Sequence, residues 1–262
     1  ASAPAFRLCA GPVPMNMASL SEGSGRAMMS VMSSSPLSSL PHLMPAIRST
    51  LLEACALLNN CDVEYVIAGG WVPYLRGGET SLRHPGTRDV DILFNDAREP
   101  IGRAVRVLVD AGYSPSAKHP FQLLKKLPVV ADQSFRGLDV EEMVFNIDLM
   151  HPIEGAQSPD LFEDIIDLGV KDDYDSLETH VIKSICFPSS RIIFDEKLWS
   201  DFPVSGELPN GTQISLDVPL IDEVGLVLSK CQSASKEKRD RDSFDIYFLL
   251  AGPNGPEIAG RL

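Results

Sequence analysis

The spacing of apolar residues predicts alternating helices and strands from Pro45 onward. Apolar residues first recur every three or four positions, as in an amphipathic helix, at Ile47, Leu51, Leu52, Cys55 and Leu58. The segment YVIAGG, residues 65–70, is a short apolar run that ends in two glycines. It predicts a buried strand followed by a turn. A helix is expected to follow from Trp71 to about Gly77.

Three further segments continue the alternation. The segment DVDILF, residues 89–94, predicts a second strand after the loop GGETSLRHPGT. Residues 99–112 repeat the helical spacing, and Gly112 ends the predicted helix. Residues 140–150, VEEMVFNIDLM, alternate between two sets of side chains, which predicts a third strand with Asp148 on the face opposite Ile147.

Beyond His151 the pattern is mixed. Residues 158–169, SPDLFEDIIDLG, predict a short helix, and TQISLDVP predicts a strand before Pro219. Residues 220–250 are helical in pattern and fit two helices that separate near SASKEK. The Gly- and Pro-rich segment 251–262 predicts a loose tail. The fold class expected is α/β (α+β): a short mixed sheet flanked by helices, with a mostly helical C-terminal part that forms the other wall of a cleft.

Residues 1–44 differ from the rest of the chain. They hold ten serines, and their charged residues are Arg7, Glu22 and Arg26. Low charge without periodicity predicts a disordered leader. A start assigned too far upstream is an alternative, with Met32 or Met44 as later starts. A serine-rich, acid-poor start also occurs in transit peptides, so an organellar location is the weaker alternative to a cytoplasmic one.

Charge and cysteine usage narrow the function classes. The 262-residue chain has a net charge of −13, which argues against a broad surface for nucleic acid but allows a local basic pocket. Its five cysteines are scattered without a C-x-x-C pair, which favours a reduced, intracellular protein. No apolar run reaches the roughly 18 residues of a membrane span, so no membrane partner is expected.

Two aspartates in the predicted second strand suggest metal chemistry. Asp89 and Asp91 flank Val90, and residues two apart in a strand point to the same face. Carboxylates held that close repel each other unless a cation lies between them. With Asp148 from the third strand, they could bind Mg²⁺ beside a substrate phosphate, or Asp148 could take a proton from an attacking hydroxyl. The glycines of the YVIAGG turn would let backbone N–H groups approach phosphate oxygens.

Each of these residues also has a purely structural interpretation. Asp89 could cap a turn, Asp91 could pair with Arg88, and Asp148 could be solvated or paired. Trp71 could stack on a base but is more often a core residue. His84, in the loop before the second strand, could contact phosphate, although a surface-loop histidine is the favoured interpretation.

The motifs together resemble a known superfamily. Gly69-Gly70 followed by Asp89-Val90-Asp91 looks like the signature of the nucleotidyltransferase superfamily, with its DNA polymerase β-like fold. The layout GGW…L.G….RH…D.D is similar to lincosamide and aminoglycoside nucleotidyltransferases. The segment 219–250 is similar to the Lys…Arg-x-x-Asp pattern of AbiEii-type nucleotidyltransferases, which include toxins of abortive-infection systems. The resemblance covers roughly residues 62–150 and 214–250.

The resemblance implies a role for each matching residue. Residues 45–155 would be the nucleotidyltransferase core, and residues 156–262 a mainly helical cleft wall. Metal binding, with Mg²⁺ or Mn²⁺, and catalysis would fall to Asp89, Asp91 and Asp148. Nucleotide binding would involve Gly69, Gly70, Lys230, Arg241, Asp242 and Asp245. On one continuous helix, Lys230 and Arg241 would lie about 20° apart and could face the cleft together. The alternative is a solvated charged face with i,i+4 pairs.

The function implied is transfer of a nucleoside monophosphate from a nucleoside triphosphate such as ATP. The acceptor would be a hydroxyl or phosphate of a small molecule, a tRNA or a protein, and pyrophosphate would be released. One alternative is a catalytically inactive nucleotide-binding or interaction protein that keeps the fold. Another is an AbiEii-type toxin that acts on tRNA or protein and has an antitoxin partner.

Overall fold

A computed structural model describes most of the chain beyond the predicted leader. The residues it describes are 40–78, 83–95, 98–128, 142–152, 165–171, 181–186, 190–234 and 240–262. They all belong to one compact unit, Ser35–Leu262. Among the described residues, no helix is both long and apolar enough to cross a membrane.

Helices and strands alternate in the first half of this unit, and strands dominate its middle. The helices are α1 (Leu40–Leu58), α2 (Trp71–Arg76), α3 (Arg98–Asp110), α4 (Ser190–Asp195), α5 (Glu223–Ala234), α6 (Asp240–Leu250) and α7 (Gly255–Arg261). The strands are β1 (Tyr65–Ile67), β2 (Asp89–Phe94), β3 (Ser114–Pro115), β4 (Gln122–Pro128), β5 (Glu142–His151), β6 (Ile165–Lys171), β7 (Val181–Cys186), β8 (Trp199–Glu207) and β9 (Gln213–Ile221).

The nine described strands form one mixed sheet. Seven of them follow the order β3-β4-β5-β2-β1-β9-β8, while β7 pairs with both β5 and β6. Strand β2 runs parallel to β5, and β1 runs parallel to β9. The pairs β1–β2, β4–β5 and β8–β9 are antiparallel. An open mixed sheet flanked by helices confirms the predicted fold class, although the sheet has more strands than expected.

The apolar spacing of α1 places this helix in the core as predicted. The five apolar residues that define its periodicity are buried: Ile47, Leu51, Leu52, Cys55 and Leu58. The helix begins at Leu40, earlier than the pattern predicts and inside the predicted leader, and Pro45 lies within it. Leu43 and Met44 are buried as well, so tertiary packing extends the helix beyond its periodic segment.

Strands β2 and β5 each bury one set of alternating side chains. Val90 and Ile92 of β2 are fully buried, as are Ile147 and Leu149 of β5. Asp148 therefore projects from the other face of β5, as the alternation predicts. These two strands carry the candidate acids on one shared face of the sheet.

The predicted helix over residues 158–169 is wrong where the structure describes it. Residues 165–169 belong to β6, which pairs antiparallel with β7. The first part of the predicted helix, 158–164, lies outside the described residues. A short apolar run does not distinguish helix from strand by periodicity, and the β-branched pair Ile165-Ile166 favours the strand.

The expectation of a mostly helical C-terminal part also needs correction, because this part contains the four strands β6 to β9 as well as its helices. Strand β8 contains Pro203 and Gly206, which weaken a strand pattern in the sequence. It lies at the end of the described strand order, where proline is tolerated. The two predicted helices are confirmed as α5 and α6, although residues 220–221 belong to β9.

The predicted loose tail is instead the helix α7. Proline is favourable in the first turn of a helix, where its missing N–H has no intrahelical partner, and Pro256 occupies that position. Ile258 is buried, and Arg261 lies 2.6 Å from Asp222 Oδ2. Composition alone predicted a tail because glycine and proline mark both loops and helix ends.

Candidate functional site

Three acidic side chains converge where β2 and β5 run side by side. The parallel register places Asp91 opposite Asp148 and Asp89 opposite Asn146. One carboxylate oxygen from each acid lies within 4.8 Å of the others. Asp89, Asp91 and Asp148, here called the acidic triad, are the three acids that the sequence predicts to act together.

Hydrogen bonds fix the orientation of two members of the acidic triad. Asp89 Oδ1 accepts a bond of 2.6 Å from Thr87 Oγ1. Asp148 Oδ1 accepts two bonds, 2.9 Å from Gln122 Nε2 and 2.8 Å from Asn146 Nδ2. Two donors fill the two lone-pair positions of that oxygen, so Oδ2 is the atom with which Asp148 would bind a cation.

Burial and mutual repulsion shift the pKa values of two triad members, Asp91 and Asp148, upward. Burial, with the charges of Asp89 and Asp148, raises the pKa of Asp91 well above its ordinary value, although the Lys230 and Arg241 charges act against this. Burial also raises the pKa of Asp148 to about 6, against the lowering effect of the Asn146 hydrogen bond. A divalent cation would relieve this repulsion, and carboxylate oxygens are the ligands that Mg²⁺ and Mn²⁺ prefer. The three acids therefore fit a metal ion.

The glycine corner leaves room for the triad. Gly69 has a φ of +65°, and a Cβ at this position would lie 1.7 Å from Asp91 Oδ2. A Cβ at Gly70 would lie 2.9 Å from Thr87 Oγ1 and 3.1 Å from Arg241 Nη2. Glycine is thus required at position 69 by both its backbone conformation and the approach of a carboxylate.

Comparison with known proteins adds little to this geometry. No protein-family model matches the chain, and no curated protein matches it. The structure is similar to an antigenic nucleotidyltransferase-like protein from Paracoccidioides brasiliensis, with 14% identity over 78% of this chain and 75% of that chain and a TM-score of 0.34. A likeness at this TM-score is too distant to assign a fold or an activity to this chain.

Lys230 lies on α5 between two carboxylates of α6. Its Nζ is 2.6 Å from Asp242 Oδ1 and 2.8 Å from Asp245 Oδ2. Lys230 and Arg241 are therefore on two packed helices, and the geometry of one continuous helix does not apply. We call the group of His84, Lys230, Asp242 and Asp245 the charged network.

In the charged network, unlike in the acidic triad, the carboxylates face a positively charged side chain. Burial lowers the pKa of Lys230, but the charges of Asp245 and Asp242 outweigh it and leave the pKa above its ordinary value. Burial raises the pKa of Asp245, but the His84 hydrogen bond and the Lys230 charge outweigh it and leave the pKa below its ordinary value. Lys230 and Asp245 are thus held in their charged forms by their partners. A nucleotide-binding role for these residues stays a prediction.

The sequence gives no sign that His84 belongs to this network. Its side chain is 3% exposed, and its Nε2 lies 2.9 Å from Asp245 Oδ1, so the surface-loop interpretation is wrong. The two residues are 161 positions apart, and no local pattern links them. Asn146 was also overlooked, although its position two residues before Asp148 places it on the same face of β5. Trp71 is fully buried, as the core interpretation predicts.

Proposed function

We propose that the protein is a metal-dependent nucleotidyltransferase. It would move a nucleoside monophosphate from a nucleoside triphosphate to an acceptor hydroxyl or phosphate and release pyrophosphate. The observation that carries the proposal is the convergence of the acidic triad on two parallel strands beside Gly69. The resemblance of the Gly-Gly and D-x-D motifs to the nucleotidyltransferase superfamily suggests the reaction class.

Asp89, Asp91 and Asp148 would hold Mg²⁺ or Mn²⁺. Such an ion, when bound, offsets the charge of a triphosphate and brings its reacting phosphorus to the attacking oxygen. Thr87 keeps the carboxylate of Asp89 oriented, and Gln122 and Asn146 do the same for Asp148. Side chains held in this way reduce the cost of assembling the site for each turnover.

Asp148 would either bind the ion or take the proton of the attacking hydroxyl. A general base works best with a pKa near the operating pH, and the pKa of Asp148 is raised to about 6. The bond between the acceptor oxygen and the α-phosphorus forms while the bond from that phosphorus to the pyrophosphate oxygen breaks. The acceptor proton passes to the carboxylate, and pyrophosphate leaves with the electron pair.

Lys230 and Arg241 are the two cations whose charges lower the pKa of Asp91. Arg241 also lies beside Gly70. We assign them the task of offsetting triphosphate charge next to the glycine corner. The net charge of −13 favours a small-molecule or protein acceptor over extended contact with tRNA.

The test is to incubate the purified chain with Mg²⁺, labelled nucleoside triphosphates and a cell extract. Wild type should release pyrophosphate and label an acceptor, whereas Asp89→Asn and Asp91→Asn should abolish both. Asp110→Asn, a matched change at an exposed position of α3, should leave turnover intact. Turnover of Asp91→Asn at the wild-type rate would refute the assignment. Nucleotide binding without pyrophosphate release would favour the inactive nucleotide-binding alternative.

A further inference from the structure

Two hydrogen bonds join the loop of residues 83–88 to α6. His84 Nε2 lies 2.9 Å from Asp245 Oδ1, and Arg241 Nη2 donates a hydrogen bond to the backbone oxygen of Gly86. This loop leads directly into β2 and therefore into the acidic triad. The position of the loop is thus set by a helix that lies more than 150 residues further along the chain.

The same loop controls one carboxylate of the triad. Gly86 has a φ of +94°, and a Cβ there would lie 2.4 Å from Met44 Sδ, so the loop also packs closely on α1. The next residue, Thr87, is buried and donates its hydroxyl to Asp89 Oδ1. A shift of the loop would therefore move the donor that orients Asp89.

The hydrogen bonds of His84 define its tautomer. The backbone N–H of Gly86 donates to His84 Nδ1 over 3.2 Å, and a backbone N–H can only donate. Nδ1 therefore carries the lone pair, and Nε2 carries the proton that it donates to Asp245 Oδ1. The ring is enclosed by aromatic side chains, with centroids 5.2 to 6.3 Å away, from Phe248, Phe244 and Tyr74.

We propose that His84 is a positioning residue of the candidate metal site. It accepts a bond from its own loop and donates one to Asp245, and so joins α6 to the loop that carries Thr87. The carboxylate of Asp89 is then held in place by the helical part of the unit as well as by its strand. The proposal rests on the metal site of the proposed function, but not on the reaction that takes place there.

The test measures Mn²⁺ binding to the full chain without nucleotide, by electron paramagnetic resonance. His84→Phe keeps an aromatic ring among its neighbours but removes both hydrogen bonds, and Thr87→Val removes the donor to Asp89. Partners beyond the direct ligands typically change metal affinity by about 10- to 100-fold. We expect both variants to weaken Mn²⁺ binding by about tenfold and to alter the spectrum of the bound ion. Thr212→Val, in an exposed turn, should change neither.

Two amide variants separate positioning from packing. His84→Gln can keep a donor toward Asp245, whereas the shorter amide of His84→Asn cannot reach it. The glutamine variant should recover part of the Mn²⁺ affinity, and the asparagine variant should not. This comparison also decides the matter if His84→Phe does not fold.

The outcomes distinguish the inference from the proposed function. Folded His84→Phe with wild-type Mn²⁺ affinity and spectrum, or equal affinities of the two amide variants, would overturn the positioning role. A lower melting temperature with unchanged Mn²⁺ binding would assign His84 to stability alone and would overturn it as well. If Asp89→Asn also binds Mn²⁺ like wild type, the metal site itself is wrong, and the proposed function fails with it.

Discussion

The acidic triad and the charged network are neighbouring groups of buried or half-buried carboxylates with opposite electrostatic character. In the triad, burial and like charges raise the pKa of Asp91 and Asp148. In the network, the pKa of Lys230 is raised and the pKa of Asp245 is lowered, although burial acts in the opposite direction on each group. The reason is that opposite charges face each other at 2.6 to 2.8 Å.

This difference separates a site that needs a ligand from one that is complete within the chain. Carboxylates that accept charge-assisted bonds from a lysine or histidine are satisfied by the fold itself. Carboxylates that face one another are held at a cost in stability, which other parts of the fold must offset. Removing a charge should therefore have opposite consequences in the two places.

The largest effect on stability is expected from Lys230→Met. Without the ammonium group, the carboxylates of Asp242 and Asp245 remain buried beside each other, and breaking a buried pair from one side typically costs about 3 kcal/mol. Asp91→Asn removes one of three repelling charges and should leave the free energy of unfolding unchanged or higher. The measurement is denaturant unfolding at pH 8 without divalent ions.

Lys126→Met is the matched control, because Lys126 lies on the exposed side of β4. It removes the same charge and should leave the free energy of unfolding nearly unchanged. If Asp91→Asn destabilises the chain as much as Lys230→Met does, the triad is satisfied by the fold, and the contrast between the two groups is wrong.

A smaller effect is expected when pH rather than sequence is changed. The folded pKa of Asp148, about 6, lies above its ordinary value of 3.8, so the native state holds more protons than the unfolded state between these values. The free energy of unfolding should therefore fall as pH rises through this window. One pKa unit corresponds to about 1.4 kcal/mol, so a total of at most about 3 kcal/mol is expected across the whole window. The comparison is wild type against Asp148→Asn, with a metal chelator present.

The charged network should respond in the opposite direction and in another window. The pKa of Asp245 is lowered, so its contribution is present above pH 3.8 and is lost as pH falls below that value. Addition of Mg²⁺ should abolish the fall in stability between pH 3.8 and about 6 and leave the loss below pH 3.8 unchanged. A difference between wild type and Asp148→Asn that stays flat from pH 4 to pH 7 would contradict the assigned pKa shift.

The two groups also differ in how far the sequence predicts them. The period of two in β2 was enough to place Asp89 and Asp91 on one face with Val90 in the core. Their approach to Asp148 depends on the parallel pairing of β2 with β5, which no local pattern specifies. The presence of an acid in a third apolar strand was the reason to expect that the three acids meet. Resemblance to a superfamily supplied the rest of that prediction.

The charged network was only partly accessible from the sequence, because its contacts are long-range. Lys230, Asp242 and Asp245 could be singled out as a motif, but their mutual pairing requires two helices to pack. His84 joins them across 161 positions, and Gln122 reaches Asp148 from β4, a strand without a clear pattern. Local periodicity predicts which face a residue occupies, whereas tertiary packing decides what that face meets.

The smallest effect, and the most selective, is expected at Gln122. Gln122→Met removes one of the two donors to Asp148 Oδ1, which should lower Mn²⁺ affinity by about tenfold at pH 6. That hydrogen bond lowers the pKa of Asp148, so its loss should raise the pKa further and favour the protonated acid. Protons then compete more strongly with Mn²⁺, and the loss of affinity should shrink at pH 8. Titration calorimetry at both pH values measures this difference.

Gln213→Met is the matched control, because Gln213 lies in the β8–β9 hairpin and bonds to Glu207. It should bind Mn²⁺ like wild type at both pH values. A loss at Gln122→Met that is equal at pH 6 and pH 8 would show that the side chain acts by placing the carboxylate rather than by changing its protonation. The lowering effect of the Gln122 hydrogen bond on the pKa of Asp148 would then not explain its influence on Mn²⁺ affinity, and geometry alone would have to explain it.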